Sequence, residues 1–249
     1  MQRDIPYRVV LPDNYSMKRN YPVLYLLHGL FGSCNNWLEL TGLTDYVAGK
    51  ELIIVLPDGG DGWYTDSAID ELGRFQGYLI DELIPEIEAV YNTIEERTGR
   101  AIFGLSMGGY GALKFGLKRP DLFVFAGSIS GAFEAPAFSD ANPGHNWEEL
   151  GPSILKAFGE ENSSVRQDND LFRIVEKIES DRVAGLPHFY LRCGTEDGFL
   201  EANRRLAALL EQKSIPYEYL ETPGGHDWDY WNHELKNVLE IVSGQLKAG

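Results

Sequence analysis

Cysteine is almost absent: Cys34 and Cys193 are the only two in 249 residues. That excludes a disulfide framework and any Cys-x-x-Cys metal site, and both read as free thiols of the sort a reducing compartment maintains. Cations are also scarce. Against 38 Asp and Glu stand 22 Lys and Arg, for a net charge of −16, which argues against nucleic acid and anionic membranes as partners and favours neutral or cationic small molecules. No apolar run approaches the roughly 20 residues of a membrane span. Arg3, Asp4 and Arg8 interrupt any secretory core at the start, so the expected address is the cytoplasm. Phosphate-binding loops of the G-x-x-x-x-G-K-[ST] and G-x-G-x-x-G kinds are missing, and Gly108-Gly109-Tyr110-Gly111 is better explained by close helix packing. Among five histidines there is no His-x-x-x-His pair with a general-base Glu. The aspartates around His226 suit the first turn of a helix, where negative charge offsets the macrodipole. Neither a metal nor a cofactor is expected.

What is present centres on Gly104-Leu105-Ser106-Met107-Gly108. The apolar run before it suits a buried strand, and Gly109 to Leu117 can run as a tightly packed helix. Ser106 then sits on a strand-to-helix turn whose flanking glycines admit a conformation that a β-carbon would obstruct, lifting the hydroxyl above the sheet edge as a nucleophile. Such an elbow needs a histidine and an acid, each on a loop after a later strand. Pro187 to Cys193 is one such strand, opening into Gly194-Thr195-Glu196-Asp197-Gly198, so Asp197 is the leading acid and its neighbour Glu196 the alternative. Pro216 to Glu221 is the next, followed by Thr222-Pro223-Gly224-Gly225-His226 at the start of a helix. His226 is the leading base. The remaining histidines have duller readings. His28 belongs to a loop scaffold, His145 and His233 to the surface or to packing, and His188 to a strand start.

Organisation follows from the same runs. Val23–Leu27, Leu52–Leu56, Ala101–Phe103, Val124–Ile129 and Phe189–Leu191 alternate with helical patterns such as that of Phe75 to Ile87, which predicts a mostly parallel sheet covered on both faces. Pro85 inside that helix predicts a kink or a break. With no Ser/Pro-rich linker and no internal repeat, residues 1–249 are expected to form one domain. The stretch 132–186 is too long for an ordinary connection and reads as a cap over the elbow. Trp37, Trp63, Tyr64 and Trp228 lie in loops on the same side and are candidate walls of the substrate pocket.

Four ordered motifs together resemble the putative-esterase family, which includes esterase D, S-formylglutathione hydrolases, tributyrin-type esterases and some feruloyl and acetylxylan esterases. They are His28-Gly29-Leu30-Phe31-Gly32-Ser33 with Asn36-Trp37, Gly104 to Ala112, Cys193 to Asp197, and Gly224 to Trp228. The resemblance implies an α/β-hydrolase fold and a serine carboxylesterase acting on a small-molecule ester. Ser106 would be the nucleophile, His226 the base and Asp197 its orienting acid, with the backbone N–H groups of Leu30 and Met107 forming the oxyanion hole. Leu105 and Tyr110 replace the histidines that glutathione thioester hydrolases of the family carry beside the elbow, so the short-chain, tributyrin-type branch is the better match. The alternatives are a thioester hydrolase, a feruloyl or acetylxylan esterase, and a non-catalytic binding protein of the same fold. Relatives usually have a strand or more ahead of the segment matching Tyr7 to Pro12. Its lack here would expose a pairing edge, which bears on stability and on whether the chain forms a homo-oligomer.

Overall fold

A computed structural model describes residues 4–143 and 147–246; His145 lies outside the described residues. In chain order the elements are β1 (Tyr7–Val10), β2 (Val23–Leu27), α1 (Asn36–Glu39), α2 (Leu43–Tyr46), β3 (Ile53–Pro57), α3 (Phe75–Gly77), α4 (Ile84–Val90), β4 (Arg100–Leu105), α5 (Met107–Lys118) and β5 (Phe125–Ile129). After β5 come α6 (Trp147–Phe158), α7 (Ser164–Asn169), α8 (Leu171–Glu176), β6 (His188–Gly194), α9 (Leu200–Gln212), β7 (Tyr217–Thr222) and α10 (Trp228–Gln245). The strands form one sheet in the order β1-β3-β2-β4-β5-β6-β7. Only β1 runs antiparallel, on β3, and every other pairing is parallel. This is an α/β-hydrolase fold, as the sequence predicts.

Strands β2 to β5 are buried at every position because helices cover both faces of the sheet. One core packs β2 and β4 against α4, α5 and α9 through Tyr25, Ile102, Leu113, Phe115 and Leu206; the other packs the opposite face against α10 and the α1–α2 segment through Leu24, Phe103, Trp37, Leu43 and Leu235. At the far edge β7 alternates between part-buried and exposed positions, as an edge strand does.

Pro85 neither breaks nor sharply ends its helix. Between α3 and α4 the chain winds as a π-helix over Tyr78–Leu83, with Pro85 in the first turn of α4. A proline has no N–H for the carbonyl four residues back and its ring crowds that carbonyl; the wider π turn makes room for it. The segment Tyr7–Val10 itself supplies the edge strand on β3.

The 132–186 connection between β5 and β6 holds α6, α7 and α8 with short 3₁₀ turns at Ala135–Ala137 and Ser180–Gly185. Ser163 and Asp170 cap α7 and α8 by accepting backbone N–H groups of the first turns. The buried guanidinium of Arg166 ties the connection together by donating to the carbonyls of Gly159, Pro136 and Phe138.

Candidate active site

Ser106 stands between β4 and α5 with φ 51° and ψ −116°, backbone angles that a residue with a side chain seldom takes. Its neighbours make the conformation affordable by leaving space. A β-carbon on Gly108 would lie 2.5 Å from the Leu27 carbonyl oxygen and 2.6 Å from that of His28, and one on Gly104 would lie 2.4 Å from the Gly108 carbonyl carbon. Helix α5 thus packs backbone to backbone on β2 and β4, which fixes the turn. The Ser106 N–H donates to the Ile129 carbonyl at 3.0 Å, and its own carbonyl accepts from Tyr110 at 3.0 Å and Ala132 at 3.2 Å.

Two later loops bring the other groups to it. Gly194, at the end of β6, lies so close to the loop after β7 that a β-carbon there would meet the Gly224 oxygen at 2.1 Å. His226 Nδ1 lies 3.0 Å and 3.2 Å from the two Asp197 oxygens, and Nε2 lies 3.0 Å from Ser106 Oγ. A carboxylate only accepts, so Nδ1 carries the proton and Nε2 is left to accept from the Ser106 hydroxyl. Burial alone would raise the Asp197 carboxyl, yet the hydrogen bond and charge of His226, with hydrogen bonds from Ser130 and the Phe199 N–H, hold it below its ordinary value. Glu196, the alternative acid, is exposed beside it. Asp227 accepts the Tyr230 N–H at 2.9 Å and so caps α10 immediately after His226.

Three residues of this site were not read from the sequence. Trp231 packs edge-on to the His226 ring at 4.9 Å between centroids, and Phe199 lies at 5.1 Å. Ser130, at the end of β5 with φ 55°, accepts the Trp231 Nε1–H at 3.1 Å and donates to Asp197. Its position one strand over from the elbow, at the same carboxyl end of the parallel sheet, is the signal that would have found it.

A cavity of about 350 Å³ opens at Ser106, walled by Leu30, Trp63, Leu150, Phe199, Trp228 and Trp231. Of the four aromatic residues read as candidate walls, Trp63 and Trp228 line this cavity. Trp37 and Tyr64 do not reach it. Trp37 is fully buried, donates to the Leu27 carbonyl and supports Trp228 from behind, with ring centroids 5.6 Å apart. Tyr64 is buried against Gly59 and Gly111, its hydroxyl donating to the His28 carbonyl. Both loops are apolar enough to fold inward, so the rings serve the core. Leu30 lines the cavity, and Met107 is the first residue of α5, whose N–H has no acceptor within the helix. His28 is a brace for the loop: Nδ1 donates to Gly29 O at 2.7 Å and Nε2 accepts the Gly59 N–H at 2.8 Å, while burial depresses its pKa and keeps the ring neutral. Lys114, fully buried on α5, donates to the Tyr64 carbonyl and to Thr65 Oγ1, both at 2.6 Å, and burial pushes its pKa well down.

Elsewhere, Cys34 and Cys193 are buried free thiols, His188 stacks on Phe125 and pairs with Glu218, and His233 is exposed on α10. Among the described residues no helix is long and apolar enough to cross a membrane.

Known proteins share this arrangement of chain. An acetyl esterase of Caldicellulosiruptor saccharolyticus is 32% identical over 233 residues, covering 90% of this chain and 84% of that protein. The esterase Rv1288 of Mycobacterium tuberculosis is 36% identical over 88% of this chain, which spans only 51% of that longer protein. Among solved structures, a ferulic acid esterase superposes with a TM-score of 0.81 at 29% identity, covering 96% of this chain and 92% of its own. The model of the putative esterase family matches residues 1–240, so that a strained serine between glycines, two strand-end loops and the chain around them all belong to one lineage: this protein is a member of the putative esterase family of hydrolases.

Proposed function

We propose that the protein is a serine carboxylesterase that hydrolyses short-chain acyl esters through an acyl-enzyme. The observation that carries this reading is the position of His226, with one ring nitrogen 3.0 Å from Ser106 Oγ and the other 3.0 Å from an Asp197 oxygen. His226 takes the Ser106 proton as Oγ attacks the ester carbonyl, and returns it to the leaving alkoxide as the C–O bond breaks. Asp197 holds the imidazole in the tautomer this requires. The N–H groups of Leu30 and Met107 receive the negative charge that develops on the carbonyl oxygen. Water then repeats the sequence on the acyl-enzyme and frees the acid.

The short-chain preference draws on the size of the cavity, about 350 Å³, near the lower end of the roughly 300–1,000 Å³ usual for ligand sites. Its aromatic walls are held from behind, and α6 of the 132–186 connection closes it as a cap through Glu149 and Leu150. Against the glutathione thioester reading, Tyr110 is a buried core residue bonded to the Asn169 carbonyl and offers nothing to an anionic thiol ester. The partner is then a small-molecule ester, and a cytoplasmic address suits a chain whose two cysteines are both buried and unpaired with each other.

A series of p-nitrophenyl esters of increasing acyl length tests the proposal. Turnover should be best from acetyl to about hexanoyl and fall beyond, because each further methylene gains only about 0.8 kcal/mol while overpacking a rigid pocket costs about 1–3 kcal/mol. Efficient hydrolysis of dodecanoyl esters would overturn it in favour of an open groove.

A further inference from the structure

The wall of the cavity at Ser106 is mostly carbon, from Leu30, Leu105, Ala132 and Phe199 to three indoles, of which Trp63 and Trp231 spend their Nε1–H groups on Ser153 and Ser130. Asn36 is a polar side chain in that wall which the reaction does not use. It lies half-buried on α1, in the segment that follows Leu30. Its backbone is engaged at both ends: the N–H donates to the Ser33 carbonyl at 3.2 Å and the carbonyl accepts from Leu40 at 2.9 Å. One end of the side chain is fixed as well. Oδ1 accepts the Ser33 N–H at 2.6 Å and packs so closely on Gly32 that a β-carbon there would have no room.

A carboxamide has two unlike ends, and the bond to Ser33 settles which is which. Only the oxygen can meet a backbone N–H, so the nitrogen is the end left over. Its two N–H groups meet no acceptor among the described residues. Asn36 therefore offers the cavity a neutral donor whose orientation is set from behind. An all-carbon acyl chain laid over Nδ2 takes water from those N–H groups and returns nothing, whereas an oxygen in the chain replaces the lost hydrogen bond. A site that hydrogen-bonds a substrate atom also discriminates more sharply than one that only measures size.

We propose that Asn36 selects the acyl group, and that the preferred substrates are short aliphatic esters whose acyl chain carries an accepting oxygen, as an ether or a ketone, where a plain alkanoyl ester carries a methylene. The inference rests on the esterase reading above and names the acyl class within it. The bonds made and broken at Ser106 are the same for both kinds of chain. Nδ2 holds the oxygen-bearing chain from binding to the transition state, so the preference is read in kcat/KM.

The test uses p-nitrophenyl esters in pairs of equal shape, methoxyacetate against butyrate and 3-methoxypropanoate against pentanoate. For each pair the ratio of kcat/KM values is divided by the ratio of hydroxide-catalysed rates, which removes the electronic effect of the oxygen. The corrected ratio should exceed about threefold for at least one pair in the unaltered enzyme. Asn36→Asp has the same shape and keeps an acceptor for the Ser33 N–H, but turns a carboxylate oxygen to the chain. It should bring that ratio to about one or below and raise turnover of p-nitrophenyl β-alaninate, whose ammonium donates, several-fold relative to butyrate. An asparagine with a structural role only would move all the esters together. A corrected ratio near one in the unaltered enzyme, or one that Asn36→Asp leaves unchanged, would overturn the proposal while hydrolysis of the esters left the esterase reading standing. Should none of them be hydrolysed, the esterase reading fails and titration calorimetry decides the role of Asn36 alone. Binding of 3-methoxypropanamide about threefold tighter than that of pentanamide, lost in Asn36→Asp, supports it; equal binding, or none, overturns it.

Discussion

Ser106 and His226 share a hydrogen bond but are held in opposite ways. Ser106 is 9% exposed, its turn wedged by glycines against the backbone of two central strands. The His226 side chain is 31% exposed on a loop with Gly224 and Gly225, and a β-carbon on Gly225 would meet only the Asp227 side chain, at 3.1 Å. Backbone packing thus locates the serine, whereas the histidine is located by side chains: Asp197, Phe199 and Trp231. The difference matches the work proposed for each. A nucleophile must keep its place relative to fixed oxyanion donors, while a base that serves first one oxygen and then another needs a few tenths of an ångström of travel.

The comparison breaks most directly at the serine. Ser106→Ala should lower p-nitrophenyl acetate hydrolysis by roughly 10⁴- to 10⁶-fold without loss of the folded state by circular dichroism, and retention of more than a few per cent of the activity would remove the nucleophile role. On the histidine side, Asp197→Asn should cost roughly 10²- to 10⁴-fold in kcat by presenting the wrong tautomer, with Glu196→Gln nearly silent. The reverse pattern would transfer the acid role to Glu196.

Packing sharpens the contrast further. Trp37→Ala, in the core, should lower stability by about 3–5 kcal/mol in denaturant titration with the acyl-chain profile unchanged, whereas Trp228→Ala should shift that profile towards longer or aromatic acyl groups. Gly108→Ala, driven against two carbonyl oxygens, should cost about 3 kcal/mol, and Gly225→Ala less than about 1 kcal/mol; equal costs would mean that the two loops are held alike. The smallest effect is one of pH. Because the folded-state pKa of Asp197 is lowered below 3.8, its ionised form favours folding above that value, and this contribution disappears as pH falls through the folded pKa. The stability difference between the unaltered protein and Asp197→Asn should therefore change below about pH 4 and stay level from there towards neutrality.

The sheet and the three loop residues were legible because their signals are local: apolar runs, a glycine-flanked serine, and an acid and a histidine each just past a strand. Chain order did the rest. What stayed hidden depends on contacts between distant segments. Nothing in the local sequence distinguishes Trp37, which turns inward, from Trp228, which faces the cavity. Trp231 sits one helical step from Trp228 and looks like any core position of an amphipathic helix until α10 is docked against Ser130. A second cavity joins residues 60–75 to α6 across some ninety positions of sequence, as the Trp63–Ser153 bond does. Pro85 announced an irregularity, and only the surrounding packing chose a π turn over a break.

The buried Lys114 has an implication for how such an enzyme can be altered. It lies on the same helix that begins at Ser106 and grips the Tyr64–Thr65 turn, so Trp63 is geared to the nucleophile through one rigid lever. The cavity works like a vice with a fixed jaw and an adjustable one. Substitutions near Trp63 would be transmitted to the serine and penalised, and Leu150 shares that fate because its carbonyl accepts from Ser153, which holds the Trp63 Nε1–H, whereas Phe31 is held through its N–H by Asp61 and Trp228 by the edges of Trp37 and Trp231. New substrate ranges in close relatives should accordingly be written on the adjustable jaw, with the fixed one left alone.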